Sequence, residues 1–307
     1  MLAHNCLDVG AGHAPIRQKD TFPIRTSILP QILEKRALAP QTHELKLLAP
    51  RVARHAQAGQ FVIVRLHEGG ERVPFTIADA DPAAGTITLV IQEIGETTRA
   101  IGAMAAGDSV QDLLGPLGAA SEVARFGTVV LLGGGFGIAA IHMLARALRA
   151  AGNRIVSIIG ARTGSLLIME AEMRAVSDEL VITTDDGSVG EKGLVTNALE
   201  RLLAREPVHR VVAVGPIPMM RAVGEVTRPH GIKTIVSLNP IMVDGTGMCG
   251  GCRVEVGGET KFACVDGPEF DAHAVNFDEL VSRNRMYTDF ERGLRADCKI
   301  NRLISAG

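Results

Sequence analysis

The stretch Thr128-Val-Val-Leu-Leu-Gly-Gly-Gly-Phe-Gly-Ile-Ala-Ala-Ile-His142 decides the fold class of this chain. Its first part, Thr128–Leu132, is apolar and rich in β-branched residues, which predicts a buried strand. Glycines then fill four of the next five positions, and a helical pattern begins at Ile138. This order favours a nucleotide site, because glycines let the backbone approach a pyrophosphate whose charge meets free N–H groups at the helix start. A tight structural turn is the alternative interpretation.

The alternation of strand and helix continues downstream and predicts an open parallel sheet. Apolar runs predict further strands at Ile155–Gly160, Leu180–Thr184, Arg210–Gly215 and Thr234–Leu238. Helical patterns cover Ile138–Ala150, Glu170–Ser177, Leu194–Ala204 and Met219–Thr227. We therefore predict an α/β nucleotide-binding domain over residues 123–238, with ligands at the carboxyl ends of its strands.

The regions on either side of this domain show different sequence patterns. Short β-like runs separated by turn signals fill residues 26–122 and predict a small β-barrel. These runs are Glu44–Leu48, Gln60–Leu66, Phe75–Ala78, Thr86–Gln92 and Ser109–Leu114. Residues 1–25 lack apolar periodicity and are interpreted as an extension, whereas residues 239–307 form a Gly- and Cys-rich module with a polar, helical tail from 276. The predicted fold class is a multi-domain β plus α/β protein.

Composition excludes several classes of function. The 307 residues include 32 Lys and Arg against 34 Asp and Glu, for a net charge of −2, and no basic run. This balance argues against nucleic acid or an anionic membrane as the main partner. No apolar stretch is long enough for a membrane span, and the first twenty residues lack the apolar core of a signal peptide. We therefore expect a cytoplasmic location.

A cysteine motif gives the most specific local signal. Asp244 begins the pattern D-x4-C-x2-C-x11-C, which continues through Cys249, Cys252 and Cys264. The spacing matches the plant-type 2Fe-2S pattern with Asp in the first position, and the surrounding glycines free the backbone to wrap around a cluster. A structural zinc site is the main alternative, because zinc also accepts three cysteines and a carboxylate. Asp244 alone is equally compatible with a turn, since Asp-Gly is a common turn pair.

Two further segments carry candidate cofactor residues. On the nucleotide side, the strand after the glycine loop ends at Arg162, where many dinucleotide sites have an acid. An Arg there would accept a 2′-phosphate or merely cap the strand, so NAD(H) and NADP(H) both stay open. Later strand ends carry Asp185-Asp186-Gly187 and Gly215-Pro216; adjacent acids are otherwise ordinary turn residues.

The predicted barrel carries Arg72-Val-Pro-Phe-Thr-Ile77 and, further on, Gly95-Glu-Thr-Thr98. A cation and hydroxyl groups near a helix start suit a flavin pyrophosphate, and an apolar ring suits the isoalloxazine face. Without their context, these segments are simply a strand and a turn.

Taken together, the motifs resemble the ferredoxin–NADP reductase superfamily. They are most similar to the flavin- and iron–sulfur-containing electron-transfer subunits of dihydroorotate dehydrogenase B, sulfide dehydrogenase and NADH-dependent reduced ferredoxin:NADP oxidoreductase. The segments that carry the resemblance are Gly59–Phe61, Val73–Asp79, Leu132–Ala140, Thr184–Gly187, Gly215–Met220, Val243–Cys252 and Lys261–Phe270. Two departures are visible: Arg72 lies three residues before Phe75 instead of two, and Asp244 replaces a cysteine of the dihydroorotate-type subunits.

The resemblance implies FAD in the barrel, NAD(H) or NADP(H) on the α/β domain and a 2Fe-2S cluster in the C-terminal module. The implied FAD residues are Arg72, Pro74, Phe75, Thr76, Ile77, Gly95, Thr97 and Thr98. The implied nucleotide residues are Gly135, Gly137, Arg162, Asp186, Gly215 and Met219, and the implied cluster ligands are Asp244, Cys249, Cys252 and Cys264. No side chain is implied as a catalytic acid or base.

The implied function is that of an oxidoreductase subunit. Hydride transfer between nicotinamide and flavin would be followed by one-electron steps through the cluster to or from a larger flavin/iron–sulfur subunit, and through that subunit to ferredoxin. The Asp at position 244 favours the ferredoxin:NADP or sulfide type. The alternatives are the electron-transfer subunit of dihydroorotate dehydrogenase B and, outside enzymes, a zinc- or redox-sensing binding module.

Overall fold

The computed structural model describes residues 29–286. The predicted extension over residues 1–25 and the end of the predicted tail lie outside this range, as does Cys298. The N-terminal half of the described chain contains β1 (Gln31–Ala39), β2 (Thr42–Leu48), α1 (Pro50–His55), β3 (Phe61–Arg65), β4 (Val73–Asp81), β5 (Thr86–Gln92), α2 (Glu96–Ala103) and β6 (Asp112–Leu117). Its strands form an antiparallel sheet in the order β1-β2-β5-β4-β3-β6.

This sheet curls until its two ends nearly meet. The ends are joined by a single bridge between Gln31 and Ser109, supported by the N–H of Ile32 donating to Asp108 O at 2.8 Å. The predicted barrel is therefore present as a curled sheet without a continuous ladder between β1 and β6. Its interior follows strand alternation: Leu45 and Leu47 are each 1% exposed, while Lys46 between them remains partly exposed.

The second half contains β7 (Thr128–Gly134), α3 (Gly137–Ala150), β8 (Arg154–Ala161), α4 (Glu170–Val176), β9 (Glu179–Thr184), β10 (Glu191–Lys192), α5 (Val195–Arg205), β11 (Arg210–Val214), α6 (Ile217–Thr227) and β12 (Lys233–Ser237). The strands are parallel, in the order β10-β9-β8-β7-β11-β12. The apolar positions of β7 are completely buried, as a central strand of a parallel sheet requires. The predicted α/β fold is confirmed.

The C-terminal segment adds to this sheet instead of standing apart from it. It contains β13 (Arg253–Val256), β14 (Glu259–Phe262), β15 (Glu269–Asp271) and α7 (Phe277–Asn284). β13 and β14 form a hairpin, while β15 pairs antiparallel with β12 as the seventh strand of the large sheet. The proposed domain boundaries after residues 122 and 238 stay predictions.

Helix α3 joins the two sheets. His142 on its buried face donates from Nδ1 to the Ala78 carbonyl at 3.3 Å, and Arg146 Nη1 donates to Asp79 Oδ2 at 3.1 Å. Both acceptors lie on β4. Strand β4 is thereby fixed relative to the glycine loop that precedes α3. Within residues 29–286, no helix combines the length and apolar character needed to span a membrane.

Candidate functional site

A cleft of about 830 Å³ lies between the curled sheet and the carboxyl edge of the parallel sheet. Both halves of the chain line it, together with the segment that follows β12. A volume of this size, at the carboxyl ends of parallel strands, is typical of small-molecule and cofactor sites.

Strand β4 and the start of α2 form one wall of this cleft. Pro74, Phe75, Thr76 and Thr98 line it, as expected for the flavin side. The Thr98 hydroxyl accepts the N–H of Gly95 at 2.8 Å, which fixes the turn into α2.

Four predicted flavin residues do not line the cleft. Ile77 is fully buried in the core, and Gly95 belongs to the turn held by Thr98. The Thr97 hydroxyl donates to Glu71 Oε2 at 2.5 Å, while Arg72 reaches the backbone of Asp244.

The glycine loop forms the opposite wall. Gly135 adopts the left-handed conformation, with φ of 54°, and its N–H donates to Gly160 O on β8 at 2.7 Å. A Cβ atom at Gly137 would overlap the carbonyl oxygen of Val214 on β11. No side chain caps the α3 N-terminus at Phe136, which also lines the cleft. The loop therefore presents backbone and the positive end of a helix dipole, which suit a pyrophosphate.

The ends of the neighbouring strands complete this wall. Arg162, Gly215 and Met219 line the cleft, as expected for the nucleotide side. Asp186 is exposed and does not line it; its Oδ1 accepts the hydroxyl of Ser188 at 2.6 Å, which lowers the pKa of Asp186. The adjacent Asp185 lines the cleft instead. The acidic pair was found from sequence, but which member faces the ligand depends on the turn after β9.

Residues to which the sequence analysis assigned no cofactor role also line the cleft. Thr42 and Gln92 enter from the curled sheet, whereas Asn239, Met242 and Pro268 come from the C-terminal segment. Their positions depend on chain segments that return to the cleft from elsewhere. Pro268 lies within Lys261–Phe270, a segment that carries the resemblance, and Gln92 ends a predicted strand, yet neither pattern places the residue in a cleft.

The first part of the cysteine motif, residues 243–252, forms a loop against the curled sheet, and this segment is called the cysteine loop. An ideal Cβ at Gly245, where φ is 75°, would lie 2.5 Å from Cδ1 of Ile63 on β3 and 2.9 Å from Leu117 on β6. The loop therefore packs onto the same sheet that supplies the flavin side of the cleft.

Two cysteines of the motif, which flank the β13–β14 hairpin, face each other. Cys252 and Cys264 are both buried, with sulfurs 3.1 Å apart, whereas Cys249 is exposed. Burial, together with the hydrogen bond to Cys252, raises the pKa of Cys264 to about 12.

Asp244 organises the backbone before Cys249. Its Oδ1 accepts the N–H of Thr246 at 2.6 Å, and its Oδ2 accepts the N–H of Cys249 at 2.5 Å, and these bonds lower the pKa of the carboxyl. Over the described range, no three His, Cys, Asp or Glu side chains form a ready metal site. The buried sulfur pair, the third cysteine and the nearby carboxylate nonetheless supply the donor types that fit an iron–sulfur cluster.

Comparison with known proteins agrees with this arrangement. Residues 239–276 match the family model described as the iron-sulfur cluster binding domain of dihydroorotate dehydrogenase B. A dihydroorotate dehydrogenase B (NAD(+)) electron transfer subunit homolog of Thermotoga maritima is 46% identical over 86% of this chain and 93% of its own length. The electron transfer subunit of Geobacillus thermodenitrificans is 34% identical over 80% of this chain and 96% of its own length.

A solved structure agrees as well. A chain from the NADH-dependent reduced ferredoxin-NADP oxidoreductase superposes with a TM-score of 0.83 at 45% identity, covering 88% of this chain and 97% of its own. These identities span both sheets and the cysteine loop and confirm the resemblance found in the motifs. The chain belongs to the family of dihydroorotate dehydrogenase B electron transfer subunits and their homologues.

Proposed function

We propose that this chain is the electron-transfer subunit of an NAD(P)H-dependent oxidoreductase, binding FAD, a nicotinamide dinucleotide and a 2Fe-2S cluster. One observation carries the proposal: the flavin strand β4 and the glycine loop face each other across one cleft, while the cysteine loop packs on the curled sheet that contains β4. When bound, the flavin supplies the exchange between two-electron and one-electron chemistry, and the cluster supplies one-electron chemistry.

The residues of the cleft bind and orient the cofactors in this proposal. Phe75 and Pro74 provide apolar surface for the flavin ring, and Thr76 and Thr98 provide hydroxyl groups. The glycine loop receives the nucleotide pyrophosphate, because Gly135 leaves its backbone uncovered and Gly137 lets the start of α3 lie close to β11. No side chain is required as an acid or base in this proposal.

We propose NADH as the physiological nucleotide. The Thermotoga and Geobacillus relatives are named for NAD(+), the ferredoxin-NADP oxidoreductase is named as NADH-dependent, and Asp185 places a carboxylate among the cleft residues. A carboxylate there accepts ribose hydroxyl groups and repels a 2′-phosphate. Arg162 lines the same cleft and would offset part of this repulsion.

The proposed partner is a larger flavin/iron–sulfur subunit of the ferredoxin:NADP oxidoreductase or sulfide dehydrogenase type. Asp244 supports this choice, as does the 45% identity to the oxidoreductase chain, which is close to the 46% identity to the Thermotoga homolog named for dihydroorotate dehydrogenase B. A dihydroorotate dehydrogenase partner is the second candidate. We place the complex in the cytoplasm, where a reducing environment keeps the unpaired thiols of Cys249, Cys252 and Cys264 available.

Cofactor analysis of the purified chain tests the proposal. We expect flavin and iron in a ratio of one FAD to two irons, with an absorption spectrum that NADH bleaches under anaerobic conditions (rough stoichiometry for a single 2Fe-2S centre). The Cys252→Ser variant is the matched control, and it should lose iron while keeping FAD. A colourless protein that contains stoichiometric zinc would instead support the binding-module alternative.

A further inference from the structure

Arg72 is a cation without an anionic partner in the described chain. Its side chain is partly buried, and its Nη2 donates to the backbone carbonyl of Asp244 at 3.3 Å. Its Nε is buried and has no hydrogen-bond acceptor. None of the ion pairs formed within residues 29–286 includes Arg72. The two nearby carboxylates have other partners: Glu71 accepts the hydroxyl of Thr97, and Asp244 accepts the backbone N–H of Thr246.

A partly buried guanidinium group without an ion-pair partner is expected to bind an anion. Burying a charge without a partner is costly, and an unsatisfied buried N–H adds to that cost. The carbonyl of Asp244 satisfies only one of the donors. The remaining donors are therefore available to a negatively charged group that binds beside this strand end.

Two anions could meet this need: the FAD pyrophosphate and the cluster. Arg72 does not line the cleft, although Val73 and Pro74, which follow it, do. Its hydrogen bond leads to the cysteine loop, and Gly245 in that loop packs on Ile63, which pairs with Pro74. The contacts of Arg72 therefore point toward the cluster side of β4.

A 2Fe-2S cluster held by thiolates and a carboxylate is negatively charged, and its reduction adds another negative charge. A nearby cation stabilises the reduced form more than the oxidised form. The backbone contact with Asp244 also restrains the loop that carries the candidate ligands relative to the flavin strand.

We propose that Arg72 is a positioning residue for the cluster, which anchors the Asp244 carbonyl to the flavin strand and raises the reduction potential of the centre. This inference rests on the proposed function. It departs from the sequence-based expectation that Arg72 binds the flavin pyrophosphate.

Redox titration of the holoprotein, followed by electron paramagnetic resonance, tests this role. In Arg72→Met, the ratio of reduced to oxidised cluster at a fixed potential should fall about tenfold, a shift of about 59 mV to more negative potential for a one-electron centre. Arg72→Lys keeps the charge and should restore most of the potential. Arg174→Met removes an exposed cation on α4 and should leave the potential unchanged.

FAD content, measured on the same preparations, separates the alternatives. If Arg72→Met loses FAD while its cluster potential stays that of the wild type, Arg72 serves the flavin and the inference is wrong. If Arg72→Met cannot be purified, Arg72→Gln replaces it as the neutral variant. The cluster potential of Arg72→Gln is then compared with that of Arg72→Lys, which keeps the charge. A wild-type protein without flavin and iron would refute the proposed function itself, whereas a loaded wild type with an unchanged Arg72→Met potential refutes only this inference.

Discussion

Gly137 shows how one residue links the nucleotide site to the fold. Because a Cβ at this position would overlap Val214 O on β11, Gly137→Ala should push α3 away from the sheet. We expect a loss of about 2–3 kcal/mol in the free energy of unfolding, the cost typical of overpacking. Thermal and urea unfolding of the FAD-loaded chain would measure it, together with a weaker apparent affinity for NADH.

Gly135→Ala provides the matched control for this prediction. No atom lies within 4 Å of a Cβ at Gly135, so only its left-handed backbone, with φ of 54°, opposes the substitution. That cost is about 1 kcal/mol. Equal losses in the two variants would contradict the argument from close approach.

Asp244 is predicted to be the fourth ligand of the cluster. It lies in the slot where the plant-type spacing expects a thiolate, and its Oδ2 is already 2.5 Å from the N–H of Cys249. Asp244→Ala should therefore make the cluster labile and lower the iron content. Asp244→Cys should keep the cluster but change its electron paramagnetic resonance spectrum and potential, because thiolate is a more covalent ligand than carboxylate.

Asp266 provides a control with the same structural role but no place in the ligand pattern. Its Oδ2 accepts the N–H of Phe262 at 2.7 Å in the turn beside Cys264. Asp266→Ala should disturb that turn and leave the cluster spectrum intact. The alternative, in which Asp244 is only a turn residue and Cys298 completes the site, predicts instead that Asp244→Ala retains full iron content while Cys298→Ala loses the cluster.

The elements that could be predicted from sequence are those whose pattern does not depend on distant partners. Strands β7, β8, β9 and β11 are apolar on both faces because helices cover the parallel sheet, so they read as continuous apolar runs. By contrast, β15 has three residues, Glu269-Phe270-Asp271, and it becomes a strand only because β12 offers it a free edge. The edge strand β1 was missed as well, because most of its side chains are partly or fully exposed.

The same limit applies to the candidate site. The glycine loop, the Pro74-Phe75-Thr76 strand and the cysteine spacing each have a local signature, and each was found. The return of Pro268 to the cleft has none, since Pro268 directly precedes β15 and is placed by the addition of that strand to the large sheet. The sequence therefore predicts the local motifs, but it does not predict that the C-terminal segment closes the cleft.

The junction made by β15 carries a pH-dependent contribution to stability. Ser121 in the linker between the two sheets donates its hydroxyl to Glu269 Oε1 at 2.6 Å, and burial there raises the pKa of Glu269. A small cavity of about 250 Å³ beside it is also lined by charged side chains of Glu122, Arg210, Lys233 and Asp271. Arg210 opposes the shift, but it is already paired with Glu122 at 2.7 Å.

Because the pKa of Glu269 is higher in the folded than in the unfolded chain, its proton stabilises the fold at acidic pH. This contribution is lost as the pH rises through the folded pKa. Glu269→Gln mimics the neutral carboxyl, so its stability relative to the wild type should increase from pH 5 to pH 8. Urea unfolding across this pH range would measure the difference. A difference that stays constant, or that grows toward acidic pH, would show that Glu269 is ionised in the folded protein throughout.

At the scale of the whole molecule, the candidate sites lie in two regions, the cleft and the cysteine loop. The cleft lies between the sheets, whereas the cysteine loop is at the surface, where Met248 is 85% exposed and Val243 and Val265 are 52% and 49% exposed. Apolar side chains around a loop that carries cluster ligands are typical of a surface that a protein partner covers. In the proposed function, the nucleotide would enter the cleft and the electron partner would dock on the cysteine loop.

The isolated chain should therefore perform only part of the complete reaction. With NADH it should reduce artificial dyes, because the cleft and its cofactors are contained in one chain. It should show at most about a hundredth of the ferredoxin-linked rate of the two-subunit complex, since orientation by a docked partner supplies factors of this size or more. Steady-state assays of the chain alone and of the co-purified complex would measure both rates. Cys249→Ser should reduce the partner-linked rate in the complex more than the dye-linked rate, because Cys249 is a proposed ligand of the cluster that would pass electrons to the partner. Full ferredoxin-linked activity from this chain alone would contradict the two-subunit arrangement and place the missing electron carrier within these 307 residues.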